Sequence, residues 1–126
     1  MNIPGLTSAF RAGGAITKRR ILTDGASDGA AIQATGATAR LLGVSTDIDT
    51  DSGDPVDAIR TGLANVEYGG TVARGAPLTA DPSGRAIAAT LPIAANTYII
   101  GFAEVSGVVG DIGSVQIAPG LLALSV

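Results

Sequence analysis

The chain has 126 residues, a formal net charge of −3, and neither cysteine nor histidine. These absences exclude disulfides, thiol nucleophiles, imidazole bases and the usual zinc, copper and haem ligands. The hydrophobic fraction is 46% but the aromatic fraction is only 3%. We therefore expect one domain with a thin aliphatic core that gains stability by association. The negative charge argues against nucleic acid as a partner, and no membrane contact is predicted, because Pro92, Asn96 and Gly101 interrupt the longest uncharged stretch, 86–103.

Residues 1–12 predict an extended N-terminal arm. They lack periodicity and contain the structure-breaking pair Pro4-Gly5. Residues 13–126 then predict a single β domain. We expect the arm and the basic residues after it to contact a partner.

The β domain looks duplicated. Residues 13–18 match residues 69–74, and residues 41–44 match residues 99–102, in the same order along the chain. The pattern predicts two pseudo-symmetric repeats of roughly 50 residues that share one core, because such a unit is too short to form a comfortable domain alone. The predicted repeats span 13–62 and 69–120.

Within each repeat, short runs rich in Val, Ile, Thr and Leu are divided by Gly and Asp. Their spacing of about eight to twelve residues is typical of a small barrel or sandwich, so the predicted fold class is all-β, with a small β-barrel-like domain. The clearest turn is Asp81-Pro82-Ser83-Gly84. It predicts a hairpin that joins a strand at 77–79 to a strand at 85–91.

A basic run follows the arm. Lys18, Arg19 and Arg20, together with Arg11, can be interpreted as a phosphate-binding patch or as a docking surface for an acidic partner. No aromatic residue is interleaved with these charges and the domain is acidic overall, which favours a solvated strand face or a docking surface for an acidic partner over nucleic acid.

An acidic loop spans residues 47–57. Asp47, Asp49, Asp51 and Asp54 are candidate calcium ligands, since carboxylates at alternate positions are typical of calcium loops. The EF-hand pattern fails where Ser52 precedes Gly53 and where Ala58 takes the position of the bidentate glutamate. A solvated loop tip is the other interpretation, and a calcium-dependent binding module is the alternative function.

The sequence contains no recognisable active site. Neither a nucleophile elbow, nor a P-loop, nor a dinucleotide fingerprint is present. Asp57 and Glu67 could imitate a pair of catalytic carboxylates, but nothing in the pattern brings them together. We predict no enzyme activity, no catalytic residue and no cofactor, with a carboxylate hydrolase as the remaining alternative.

Several segments carry a family resemblance. Residues 69–86, which read GGTVARGAPLTADPSGRA, together with Gln33-Ala34-Thr35, Leu42-Gly43-Val44-Ser45 and residues 115–120, resemble small tailed-phage capsid decoration proteins, also called capsid cement proteins. The resemblance covers nearly the whole chain after the arm. The acidic loop departs from the commoner short version, which is rich in Ala and Gly.

The resemblance implies a β-barrel-like protein of the virion, located on the outer surface of the capsid. Members usually sit there as homotrimers and clamp neighbouring subunits of the major capsid protein, without catalysis. We therefore expect a structural, head-stabilising protein that is made in the host cytoplasm. The residues predicted to reach the capsid partner are Phe10, Arg11, Lys18, Arg19 and Arg20.

Overall fold

The computed structural model describes residues 2–123, so position 1 of the predicted arm and positions 124–126 of the predicted β domain lie outside the described residues. The described residues form strands without helices, which confirms the all-β class, and none of them belongs to a helix that could cross a membrane. The strands are β1 (Ile3–Pro4), β2 (Thr7–Ala12), β3 (Ile21–Asp24), β4 (Ala30–Gln33), β5 (Leu41–Ser45), β6 (Pro55–Ile59), β7 (Gly62–Glu67), β8 (Pro77–Ala80), β9 (Ala86–Ala88), β10 (Thr97–Ala103) and β11 (Ile112–Leu122).

The first half of the chain forms a closed barrel in the order β2-β4-β3-β5-β6. Strand β2 closes it, because it pairs antiparallel with β6 on one side and parallel with β4 on the other. Alternation sets the inward face: in β6, Val56 and Ala58 are buried while Asp57 between them is exposed. The barrel interior consists of Ala12, Ile16, Leu22, Val56 and Ala58.

The structure corrects the predicted arm. Residues 7–12 are strand β2, paired with β6 from Thr7 opposite Ile59 to Arg11 opposite Pro55. The preceding residues are also paired, since Ile3 of β1 lies opposite Leu63 of β7. The sequence does not show a clear strand pattern here, because the more buried face consists of Ser8, Phe10 and Ala12 and has only one large apolar side chain.

The second half of the chain, joined by β1 from the N-terminus, forms a six-stranded sheet in the order β1-β7-β11-β10-β8-β9. Without β1, this order matches the barrel order β2-β6-β5-β3-β4. A parallel bridge between Tyr68 and Ala86 links the two ends of the sheet, as the parallel pair Ala12 and Ala31 does in the barrel. The two-repeat organisation stays a prediction, which this correspondence supports; its units would begin at β2 and β7, ahead of the predicted starts at 13 and 69.

The two halves share one buried core. Ile21, Val44 and Ile59 of the barrel belong to the same cluster as residues of the second sheet such as Leu78 and Ile100. Strand β3 serves both cores, because Leu22 faces the barrel interior while its neighbour Ile21 joins the shared cluster. Burying one such side chain contributes about 1.5–3 kcal/mol, so the halves stabilise each other.

The predicted hairpin is confirmed as β8 and β9. The Gly84 N–H donates to the Asp81 carbonyl over 3.0 Å, and Gly84 has a φ of 76°, which is the left-handed geometry of a type I turn with a bulge. The second strand is shorter than predicted. It ends at Ala88 rather than Leu91. The Ala89 N–H still donates to the Pro77 carbonyl over 2.9 Å, but β8 begins at Pro77, so pairing with it goes no further.

Candidate partner-binding site

The basic run and the acidic loop contact each other. The Lys18 N–H donates to Asp49 Oδ1 over 2.9 Å, and an Arg19 guanidinium nitrogen lies 3.4 Å from Asp47 Oδ1. Arg19 adopts a left-handed backbone with φ of 57°, which turns the run toward the loop. The two segments that the sequence presents as separate docking surfaces are therefore in contact, and the ion pair between Arg19 and Asp47 offsets one charge of each.

Arg20 points into the junction between the two halves. Its Nη1 donates to the Ser83 carbonyl over 2.9 Å and its Nη2 lies 3.4 Å from Glu67 Oε1. Arg85 completes the group, because it lies 3.8 Å from Glu67 and 3.0 Å from Asp81. Arg20 thus has a structural role that was not predicted, and its side chain is only 15% exposed.

The candidate calcium ligands do not converge. Asp47 pairs with Arg19, and Asp49 accepts the Lys18 N–H. Asp51 and Asp54 lie in a turn in which the Asp54 N–H donates to the Asp51 carbonyl over 3.1 Å. Within residues 2–123 no three acidic side chains gather in a way that could hold a metal ion.

Phe10 and Arg11 lie next to each other on β2 but differ in exposure. Phe10 packs against the barrel interior, with the Arg60 guanidinium carbon 5.6 Å from the ring centroid. Arg11 is exposed, as is Lys18 in the following loop. Of the five predicted partner contacts, Arg11 and Lys18 are the ones whose side chains lie on the open surface.

The structure shows a second exposed surface, an apolar one, that was not predicted from the sequence. Val105, Val108, Val109 and Ile112, which we call the valine tip, are between 43% and 59% exposed at the loop between β10 and β11. The valine tip occupies the place that the acidic loop has in the barrel, since the bridge between Val72 and Gly107 corresponds to that between Ile16 and Thr50. Its sequence signal is Val108-Val109 between two glycines, a pair of large apolar residues in a turn.

Tyr68 anchors the valine tip from below. Its ring is fully buried, its hydroxyl donates to the Val105 carbonyl over 2.8 Å, and its backbone N–H donates to the Asp111 carbonyl over 2.8 Å. Burial raises the pKa of the Tyr68 hydroxyl, and the negative charge of Asp111 raises it further. The hydrogen bonds of Tyr68 therefore fix the conformation of the valine tip, while its apolar side chains remain exposed to solvent.

A groove with a volume of about 490 Å³ lies beside the end of β11, and we call it the β11 groove. Leu6 forms one wall, held in place because its N–H donates to Thr61 Oγ1 over 2.6 Å and its carbonyl accepts the Arg60 N–H over 2.7 Å. Sequence reasoning could not find this site, since its residues come from distant parts of the chain. The lining includes Leu6, Arg60, Thr61, Tyr98, Pro119 and Leu121.

A charged pair lies at the edge of the β11 groove. Arg40, which lines the groove, donates to both carboxylate oxygens of Asp24, over 2.9 and 2.7 Å. This hydrogen bonding lowers the pKa of Asp24, burial opposes the lowering, and the charges of Arg40 and Arg60 add to it. The Asp24 carboxylate is therefore held ionised and fixes Arg40.

No protein-family model matches the chain, and no curated protein matches it. A solved structure does: the head fiber gp8.5 N base in bacteriophage phi29 superimposes with a TM-score of 0.66 over 90% of this chain and 93% of that chain, at 21% identity. At this identity the similarity concerns architecture alone. The chain therefore shares its fold with the base of a bacteriophage head fiber.

Proposed function

We propose that this chain is a structural virion protein that binds the outer surface of a phage capsid and stabilises the shell by bridging subunits of the major capsid protein. The observation that carries the proposal is the fold that the chain shares, over nearly its whole length, with the phi29 head fiber base. The resemblance of residues 69–86 to capsid decoration proteins supports the same function from the sequence.

The placement of the charged side chains also supports a structural rather than a catalytic function. The carboxylates that could have formed a hydrolytic pair serve separate purposes. Asp57 is exposed on β6 opposite Ala9, whereas Glu67 is held by Arg20 and Arg85 at the junction between the halves. The two carboxylates therefore belong to different parts of the fold, and Glu67 serves as the counter-charge of two guanidinium groups.

We further propose that the protein acts as a homotrimer and that the valine tip is buried in the assembled virion. Exposed Val108 and Val109 on an anchored loop gain free energy when a partner covers them, at about 25 cal/mol per Å² of apolar area. A trimer offers each such contact three times. Once one contact forms, the others become effectively intramolecular, so weak interfaces add up to stable clamping.

Arg11 and Lys18 remain the proposed polar contacts of this interface. Both are exposed and lie on the barrel rather than on the valine tip. Exposed charges of this kind steer association and set specificity more than they add affinity. Phe10, Arg19 and Arg20 contribute indirectly, by supporting the barrel that carries them.

The test is to mix the purified protein with expanded, undecorated shells of the phage from whose genome the chain comes. Co-sedimentation should show saturable binding at a fixed ratio per capsomer, and the decorated shells should withstand a higher temperature than bare shells. Lack of binding, or binding without a gain in heat resistance, would contradict the proposal. Serum albumin at the same concentration serves as the control for trapping in the pellet.

A further inference from the structure

Strand β11 has one side without a strand partner over its last residues. Strand β7 pairs with β11 only from Ile112 to Ile117, where Gly62 ends the register. Beyond that point β11 pairs with β10 alone, for example Gly120 opposite Ile99 and Leu121 opposite Tyr98. Within the described part of the chain, no strand pairs with the other side of this segment, and an unpaired edge is a template for strand addition.

The β11 groove borders this segment, and its lining also includes Leu41 and Leu42 of β5. Pro119 and Leu121 of the strand itself line it, and Leu6 lies among the residues across from them. Leu6 is 57% and Leu121 is 47% exposed, so apolar surface borders the groove on both sides. A volume of about 490 Å³ suits a short extended segment with apolar side chains rather than a folded element.

The positive charge of the β11 groove favours an occupant that carries a carboxylate. Arg40 and Arg60 both line it, and Asp24 neutralises Arg40 through two hydrogen bonds. Arg60 stacks over Phe10, and no carboxylate among residues 2–123 forms an ion pair with it. The charge of Asp24 also acts on Arg60. Two guanidinium groups and one carboxylate therefore leave a net positive charge at the groove to meet an incoming carboxylate.

We propose that the β11 groove receives an extended, carboxylate-bearing segment of the capsid partner, which adds as a strand beside residues 118–122. The inference rests on the proposed capsid binding and names the kind of segment that binds. Main-chain hydrogen bonds to β11 provide affinity, although Pro119 offers only its carbonyl oxygen. The contacts with Leu6 and Leu121 select apolar side chains, and Arg60 selects the acidic one.

The first experiment compares Arg60→Glu with Arg74→Glu, which makes the same charge change at an exposed loop position of the second sheet. Both variants are first checked for an unchanged circular dichroism spectrum and melting temperature. Wild type and Arg74→Glu should bind expanded shells alike, and Arg60→Glu should bind on the order of tenfold more weakly. If folded Arg60→Glu binds as wild type does, the inference is overturned while the proposed function stands.

The second experiment needs no shells, so it separates failure of the groove from failure of capsid binding. Isotope-labelled protein is titrated with a Val-Glu-Val-Thr-Val peptide and, as the matched control, with Val-Lys-Val-Thr-Val. The acidic peptide should shift the amide resonances of Thr61, Gly120 and Leu121, and Arg60→Glu should abolish these shifts. Equal effects of the two peptides, or no effect of either, would overturn the inference about the β11 groove, whatever the result of the shell-binding experiment.

Discussion

Arg20 Nη2 lies 3.4 Å from Glu67 Oε1, across the junction between the barrel and the second sheet. The two side chains are only 15% and 26% exposed, so solvent screens them less than it screens a surface pair. The other oxygen of Glu67 faces Arg85, which makes Glu67 the shared anion of two guanidinium groups. A residue from the basic run thus helps to hold the two halves of the molecule in one orientation.

Replacing Glu67 with Gln should destabilise the protein by about 1–3 kcal/mol, because it leaves Arg20 and Arg85 close together without their shared counter-charge. The measurement is the free energy of unfolding in urea. Asp57→Asn is the matched control, since it makes the same chemical change at an exposed carboxylate on β6. Equal losses in the two variants would show that the junction pair has no special role.

Gly84→Ala should cost about 2–4 kcal/mol in the free energy of unfolding, from backbone strain and crowding together. Gly84 has a φ of 76°, and an added Cβ would lie 2.7 Å from Gln33 Cγ across the junction. Gly53→Ala separates the two causes: its φ is 88°, but nothing lies within 4 Å of an added Cβ. The Gly53 variant should lose about 1–2 kcal/mol by strain alone. If Gly84→Ala loses no more free energy of unfolding than Gly53→Ala, the contact across the junction is refuted.

Tyr68 should titrate above its ordinary pKa of 10.0, and folding stability should fall at alkaline pH as a result. A raised pKa in the folded state means that the neutral hydroxyl stabilises the fold below the unfolded pKa, and that this contribution disappears as pH rises through the folded pKa. The test is the ultraviolet absorbance of tyrosinate in a Tyr98→Phe background, where Tyr68 is the remaining tyrosine.

The control for this titration is the further variant Tyr68→Phe in the same background, which should show a flatter loss of stability above pH 10, the ordinary value for the group. Titration of Tyr68 at or below that value in the folded protein would contradict the burial of its hydroxyl under the valine tip.

The double variant Val108→Asp/Val109→Asp should keep the fold and lose shell binding on the order of tenfold or more, because charges at a covered apolar surface must be desolvated. Ile48→Asp is the matched control, since Ile48 is 70% exposed in the acidic loop that occupies the corresponding place in the barrel. Co-sedimentation with expanded shells measures both. The proposed burial of the valine tip fails if the double variant binds as well as Ile48→Asp.

Features encoded locally could be predicted from the sequence. Asp81-Pro82-Ser83-Gly84 specifies its own turn, because the Asp81 carboxylate accepts the Ser83 N–H and Gly84 supplies the left-handed φ. The all-β class follows from similar short-range signals, since apolar runs and glycines recur at strand spacing. The strand at residues 7–12 escaped prediction because its pairing with β6 is set more than forty residues away.

Features of the candidate site could not be predicted, because they depend on contacts between distant residues. In the sequence, Arg20 belongs to a basic run typical of an exposed surface, and its ion pair with Glu67 becomes evident only in the folded structure. The β11 groove joins Leu6, Arg60 and Leu121, which no local pattern connects. The sequence does contain the Val108-Val109 pair of the valine tip, but two adjacent valines normally predict burial. Their exposure becomes evident only from the geometry of the loop.

Bridging of capsid subunits can be observed directly in a cryo-electron microscopy reconstruction of expanded shells saturated with this protein. We expect density for the barrel and its second sheet at fixed positions on the outer surface, with each copy in contact with more than one major capsid subunit. Bare shells, density on the inner surface, or copies that each touch a single subunit would contradict it.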